Sequence, residues 1–473
     1  MAKFCCENQA MSEPTLITVV PPIAAIVIAV WRKNALLALF CGLWLTAFLS
    51  TGYQPLNSIL AMGEVLLATV TSTGNFRIIV YSLLIGALLE LMKQSGGINA
   101  FVNRITGRNW VNTPAKVAMV PATIGSVIFT DTNLSLFTAG MASQRLFERF
   151  NMSRARLAYL IDSTCAPISV LVLVNGWGAY VLGLIEQQNI DNGVSILIDT
   201  IGYNFYALIA VALAYYTAVS GRVFGPLKRA EQAALANTAE QGTPAVEEVE
   251  NEDKATKTRY FVLPLLLMIV GTFALLWWTG NGDIRQGSGS FSVLWAVVSA
   301  QVLLTLMVLM AKVMTLQQVM AASYSGIKKM IPVVAILVFS FAFGDAVKAF
   351  GTGVYVSGIL STDLPLLLIA PLIFLTASAM AFATGSSWST FAILIPIAIP
   401  TSLATGLPPA FLVGAVLGGG IFGDHASPIS DTTVVASLAS GCDHIEHVKT
   451  QLPYALLGGI STIILYLLVG MML

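Results

Sequence analysis

The chain has 473 residues, of which 56% are hydrophobic and only 10% charged, against roughly 25% charged in a soluble domain. Basic and acidic residues balance at 24 each, so there is no global basic field for nucleic acid. Five cysteines (Cys5, Cys6, Cys41, Cys165, Cys442) are odd in number and lack metal-site spacing, which argues against a disulfide framework or a zinc site. The composition predicts an all-α polytopic membrane protein whose function lies in what is polar inside the bilayer.

A spanning helix needs about 20 mostly apolar residues, or about 17 when tilted or partly covered. Ten stretches qualify: 16–31, 35–50, 78–92, 155–186, 195–219, 260–279, 291–313, 327–347, 409–437 and 453–472. The first does not read as a signal peptide, because Glu7 and Glu13 precede it, no small-residue cleavage site follows and Arg32-Lys33 closes it. Glu64 sits in an amphipathic stretch expected at the membrane interface. Two more apolar regions, 111–146 and 364–402, are interrupted midway by small polar residues and read as hairpins that enter the bilayer and return on the same side. With the N-terminus outside, only Lys3, Arg77, Arg285 and Lys348 fall on the outer side, as cytoplasmic enrichment of Lys and Arg requires. Residues 221–258 form a soluble-like, acidic and alanine-rich segment, read as a mobile linker. The expected organisation is a first repeat over 1–220, a cytoplasmic linker over 221–259 and a second repeat over 260–473.

The halves echo one another at a nearly constant offset. Gln94-Ser95-Gly96-Gly97-Ile98 resembles Phe350-Gly351-Thr352-Gly353-Val354, and Gly125-Ser126-Val127-Ile128-Phe129-Thr130 resembles Gly385-Ser386-Ser387-Trp388-Ser389-Thr390. Ala166-Pro167-Ile168-Ser169 matches Ser427-Pro428-Ile429-Ser430, each preceded by an aspartate, Asp162 or Asp424. Five crossings per half is an odd number, so the second half is expected upside down relative to the first. The expected fold is therefore two inverted repeats of five transmembrane helices plus one re-entrant hairpin each, with broken helices meeting at mid-membrane, the architecture of secondary transporters.

The strongest local signal is Gly418-Gly419-Gly420-Ile421-Phe422-Gly423-Asp424-His425-Ala426-Ser427-Pro428-Ile429-Ser430-Asp431-Thr432-Thr433. Its glycines and proline are expected to interrupt the helix. Into that break fall two carboxylates and several hydroxyls, the oxygen ligands of a hard cation such as Na⁺. In the first half Asp162, Ser163 and Thr164 are the matching candidates. Trp177 reads as an apolar packing residue. The hairpin tips, Thr130-Asp131-Thr132-Asn133 and Gly385-Ser386-Ser387 with Ser389 and Thr390, are candidate substrate or ion contacts. Asp131 stands open as ligand, proton carrier or helix cap. His425 stands open between proton carrier, since imidazole titrates near neutral pH, and helix-orienting hydrogen bond. Glu90 with Lys93, and Asp345 with Lys348, read as surface pairs. His444 and His447 read as part of a solvated helix start.

The run from Gly423 to Thr433, with Gly385 to Thr390 upstream, resembles the signatures of NhaC-type sodium/proton antiporters. His444-Ile445-Glu446-His447-Val448 and Gln451-Leu452-Pro453-Tyr454 are similar to a subgroup of that family. The resemblance implies cation binding at Asp424, Ser427, Ser430, Asp431 and Thr432, Na⁺ and H⁺ as the ions, and a homodimer in the bacterial inner membrane working by an elevator motion. The expected function is Na⁺/H⁺ antiport with no enzymatic activity; the alternative is Na⁺-coupled transport of an amino acid or other small organic solute.

Overall fold

A computed structural model of the chain describes residues 15–32, 34–106, 111–172, 174–188, 190, 192–241, 256–352, 355 and 365–473. Its described elements are helical throughout. After a short 3-10 turn at Leu16–Val19 come α1 (Val20–Arg32), α2 (Ala35–Ser50), α3 (Pro55–Thr71), α4 (Thr73–Gln94) and α5 (Gly97–Thr106). Then follow α6 (Pro114–Val127), α7 (Thr132–Arg149), α8 (Arg154–Leu171), α9 (Gly176–Glu186), α10 (Gly193–Tyr203), α11 (Phe205–Ser220) and α12 (Gly225–Gln241). The remainder is α13 (Arg259–Thr279), α14 (Gly289–Met310), α15 (Leu316–Ala349), α16 (Leu366–Thr384), α17 (Ser387–Thr405), α18 (Pro409–Ala426), α19 (Asp431–Ser440) and α20 (His444–Gly470). Among the described residues eight helices are long and apolar enough to cross a membrane, or up to eleven if each bent pair counts as one span. The chain is a multi-pass membrane protein.

Most predicted spans coincide with helices, and both interrupted regions fold as helix pairs. The pair α6–α7 turns at Ile128–Asp131, and α16–α17 turns at Gly385–Ser386. With 14 residues, α6 reaches about 21 Å at 1.5 Å per residue, short of a hydrocarbon core of about 30 Å. The 19 residues of α16 and of α17 reach about 28 Å. The pair α8–α9 bends by 41° and α18–α19 by 49° at their breaks, so a helix pair followed by a bent pair occurs in each half. Helix α3, which carries Glu64, turns 120° away from α2.

Two bundles emerge from the packing. One holds α1–α4 with α13–α15; the other holds α6–α8, α11 and α16–α20, and α9 lies between them against α4, α14, α15 and α17. The first bundle's tightest crossing is α4 on α15, where a Cβ added at Gly86 would lie 2.6 Å from the Gly326 carbonyl oxygen.

Several expectations need correction. The glycines of 418–423 do not interrupt the helix: α18 runs through them to Ala426. Their role is close approach, since a Cβ at Gly419 would sit 2.4 Å from Phe374 O and one at Gly423 2.3 Å from Ser378 O, both on α16. The stretch 195–219 is two helices, divided at Asn204, whose side chain caps α11 through Ala207 N. The start of the linker segment is docked rather than free. Leu227 is fully buried, Ser153 Oγ donates to Glu231 Oε1 at 3.1 Å, and Arg156 lies 3.8 Å from the same oxygen. Helix α12 thereby rests on the first turn of α8 and on α20; residues 242–255 of that segment lie outside the described residues.

Glu90 pairs with Lys329 on α15 at 2.6 Å rather than with Lys93, because α15 packs closely enough on α4 to offer a nearer cation. Lys348 reaches the Gln188 carbonyl at 2.8 Å, an acceptor left over at the end of α9, so it is not spent on a surface pair with Asp345.

Candidate cation site

Each helix that begins at a break or a hairpin tip starts with exposed N–H groups, and lipid offers no water to satisfy them. Side chains do it at α7, α9 and α19, whereas α17 starts after Ser386 with no side-chain cap. Asp131 Oδ1 accepts from Leu134 N at 2.7 Å at the start of α7. Asn175 Oδ1 accepts from Gly178 N at 2.9 Å for α9, and Ser430 Oγ accepts from Thr433 N at 3.3 Å for α19. Asp131 is thus seen as the helix cap, one of the three roles its sequence left open.

The breaks are also stitched to the hairpins. Phe129 O accepts from Asn175 Nδ2 at 2.9 Å and from Ser169 Oγ at 3.3 Å. In the second half Ser427 Oγ donates to Phe382 O at 2.7 Å. At the other tip Gly385 is left-handed, with φ of +66°, and a Cβ there would sit 2.4 Å from Ile429 O. Only glycine fits that turn against the break.

Asp424 and Asp162 come together at the centre of the second bundle, 1% and 0% exposed. Around Asp424 three hydroxyls converge: Ser387 Oγ donates to Oδ2 at 2.9 Å, Thr432 Oγ1 to Oδ2 at 3.3 Å, and Ser430 Oγ to Oδ1. Thr433 Oγ1 links the Asp162 carboxylate to the Asp424 backbone, 3.2 Å from Asp162 Oδ2 and 3.4 Å from the Asp424 carbonyl oxygen. Gln451 Nε2 donates to Asp162 Oδ2 at 2.7 Å. Asp162 Oδ1, equally buried, has no hydrogen-bond partner. A buried polar atom left without a partner costs about 1–3 kcal/mol, more when charged, a cost that a bound cation or proton would relieve.

Of the other predicted residues, Asp431 lies close enough to act on the Asp424 carboxylate electrostatically, and the rest stand apart from this centre. Asp431 is exposed, and its Oδ1 accepts from the adjacent Thr432 N at 3.0 Å. Ser427 is occupied by the hairpin carbonyl. Thr164 Oγ1 returns to Leu160 O at 2.7 Å and faces Gly125 of α6, since two positions along a helix turn a side chain well away from its neighbour. Ser163 is buried. At the first tip Thr130 is buried with its hydroxyl unpartnered, Thr132 Oγ1 accepts from Trp177 Nε1 at 3.1 Å, and Asn133 is exposed. At the second tip the Ser386 carbonyl accepts from Ser389 Oγ at 3.0 Å and Thr390 Oγ1 at 3.2 Å, so these two serve the turn and Ser387 alone reaches Asp424. Trp177 packs as expected, 4.5 Å from Trp388 between ring centroids, and its indole N–H adds a clasp between the two tips.

His425 Nδ1 lies 3.1 Å from Tyr206 OH, the orienting bond among its two open readings. His447 departs from its reading as a solvated helix start. It is fully buried, with Nδ1 2.9 Å from Ser437 Oγ and Nε2 2.9 Å from Gln451 Oε1. The first turn of α20 is already wedged against α8 and α19, so solvent never reaches that face. Among the described residues lysine and arginine ion pairs go to Glu148, Glu231, Asp199 and Glu90, leaving Asp162 and Asp424 outside that set, with His447 Nε2 3.8 Å from Asp162 Oδ2.

The described helices that hold Asp162, Asp424, Gln451 and both breaks fall almost entirely within residues 157–471, and over those residues the chain matches the model of the Na⁺/H⁺ antiporter family. The chain belongs to that family. The likeness to NhaC-type antiporters read from the sequence is borne out. An uncharacterized protein of Haemophilus influenzae is 30% identical over 485 residues, covering 96% of this chain and 90% of that one. The malate-2H⁺/Na⁺-lactate antiporter of Bacillus subtilis is 39% identical over 109 residues, a local match covering 22% of this chain and 23% of its own length. The crystal structure of the Alcanivorax borkumensis YdaH transporter shares the fold at a TM-score of 0.54, with 13% identity over 87% of this chain and 88% of that one. This antiporter-family member is a secondary transporter and not an enzyme.

Proposed function

We propose that this antiporter exchanges Na⁺ for H⁺ at one site between Asp162 and Asp424. The observation that carries the reading is the buried, unpartnered Asp162 Oδ1, on a side chain that Thr433 links to the backbone of a second buried acid, Asp424. A bound Na⁺ and a bound proton each relieve that oxygen, and neither tolerates the other, so loading one species discharges the other. Ser387, Ser430 and Thr432 supply neutral oxygens around Asp424, in keeping with the preference of a hard cation. The exposed Asp431 serves as an outer carboxylate that raises the local cation concentration at the mouth of the break.

The exchange cycle proceeds by an elevator motion in which the bundle of α6–α8, α11 and α16–α20 moves against the other. The recurrence of a helix pair and a bent pair in each half supports inverted repeats, because exchanging the two halves' conformations turns an inward-facing site outward. The protein acts as a homodimer in the bacterial inner membrane with the segment 221–259 in the cytoplasm. The decisive assay is Na⁺-dependent flux in proteoliposomes. Asp424→Ala is expected to abolish it, and intact flux in that variant removes the proposal. A second reading, Na⁺-coupled movement of a small carboxylate solute, draws on the local similarity to the Bacillus subtilis malate/lactate antiporter. Uptake of labelled organic acids with and without a Na⁺ gradient separates the two.

A further inference from the structure

Gln451 and His447 lie one helical turn apart on α20 and are both fully buried. Gln451 Nε2 donates to Asp162 Oδ2 at 2.7 Å and to His425 O at 3.1 Å, while its Oε1 meets His447 Nε2 at 2.9 Å. A carboxamide has one donor end and one acceptor end. The flipped orientation would set its oxygen against two acceptors, so the amide faces Asp162 as described and His447 donates to it through Nε2. One side chain thereby ties α8 of the first half to the last turn of the broken α18, at the carbonyl next to Asp424. It also occupies Asp162 Oδ2, which leaves Oδ1 as the free oxygen.

We propose that Gln451, oriented by His447, is the positioning residue of the cation site. It determines which oxygen of Asp162 meets the ion and fixes the span between Asp162 and the α18 break, so it sets ion affinity and the discrimination of Na⁺ from the smaller Li⁺. The proposal rests on the antiporter reading of the same site.

The test compares wild type, Gln451→Met (similar in shape, without a donor), Gln451→Glu and His447→Ala in proteoliposomes. The readouts are half-saturating Na⁺ and Li⁺, maximal rate and thermal midpoint. Gln451→Met is expected to raise half-saturating Na⁺ about tenfold, the effect of removing one hydrogen bond to a charged group, and to narrow the Na⁺/Li⁺ ratio with little change in maximal rate. Gln451→Glu, which sets a carboxylate against Asp162, is expected to shift it further, and His447→Ala less, because it acts mainly through Gln451, its own Nε2 standing 3.8 Å from Asp162 Oδ2. Unchanged affinity and selectivity in Gln451→Met overturn the proposal. So does a loss confined to maximal rate and thermal midpoint, or failure of both Gln451 variants to fold, since each marks a purely structural role. Absence of Na⁺-dependent proton movement in wild type overturns the antiporter reading itself; wild-type flux with an unaltered Gln451→Met overturns only this inference.

Discussion

Replacing Asp162 by asparagine separates the site's function from its stability. The variant keeps the shape of the side chain. Thr433 Oγ1 and Gln451 Nε2 both donate to Oδ2, so the new carboxamide must turn its oxygen toward them. Its NH₂ group then stands where Asp162 Oδ1 had no partner, and two N–H donors point at the cation position. The charge-assisted interaction with the ion that this removes is worth about 1.5–3 kcal/mol, which corresponds to roughly a 10- to 100-fold weaker apparent Na⁺ affinity. The same change removes a buried charge that no Lys or Arg ion pair compensates, so stability holds or rises. Flux against Na⁺ concentration in proteoliposomes, alongside the thermal midpoint in detergent, reads both effects. Na⁺ affinity within about threefold of wild type would refute the reasoning.

Other substitutions probe the parts around that centre. Asp131→Asn keeps the cap on Leu134 N, since Asn caps as well as Asp; transport is expected to persist, and its loss would give Asp131 a proton or ion role. Asp431→Asn, at an exposed carboxylate bonded to its own helix start, is expected to weaken half-saturating Na⁺ less than Asp424→Asn does, as parallel titrations would report. Gly423→Ala places a methyl 2.3 Å from Ser378 O, forcing α16 off α18. Overpacking of this kind costs about 1–3 kcal/mol and should lower both the thermal midpoint and the maximal rate. Glu231→Ala leaves the guanidinium of Arg156 buried with the Thr217 carbonyl, 2.7 Å away, as its remaining partner. The thermal midpoint should fall and protease should cut the 221–258 segment sooner; an unchanged cutting rate would mean that docking of α12 does not depend on this pair.

The parts legible in the sequence are those encoded locally. Polar tips flanked by apolar runs announce both helix pairs, and Ser427-Pro428 marks the second break, because proline and clustered hydroxyls act on their own segment; in the first half α8 runs through Asp162 and Pro167 to Leu171, so the break falls beyond the motif expected to make it. The Gly418–Gly423 run misled because glycine weakens a helix and also permits another backbone to approach; only the presence of α16 decides between the two. His447 reads as a solvated helix start, and Gln451 carries no local signal of a site role, since their burial comes from α8 and α19, which their own segment does not encode. Lys329 as the partner of Glu90, and Leu227 with Glu231 docked beside Ser153, were hidden for the same reason. Spacing along one helix names the nearest cation or the nearest linker, and packing between helices supplies a closer one.

The central claim is that Na⁺ and H⁺ compete for oxygens shared by Asp162 and Asp424. Its most direct test is a Na⁺ jump imposed on proteoliposomes with simultaneous recording of internal pH and internal Na⁺. Competition at one site requires that Na⁺ entry and proton exit rise together in wild type and vanish together in Asp424→Asn. Na⁺ entry with no proton movement, or coupled movement that survives in Asp424→Asn, would contradict it.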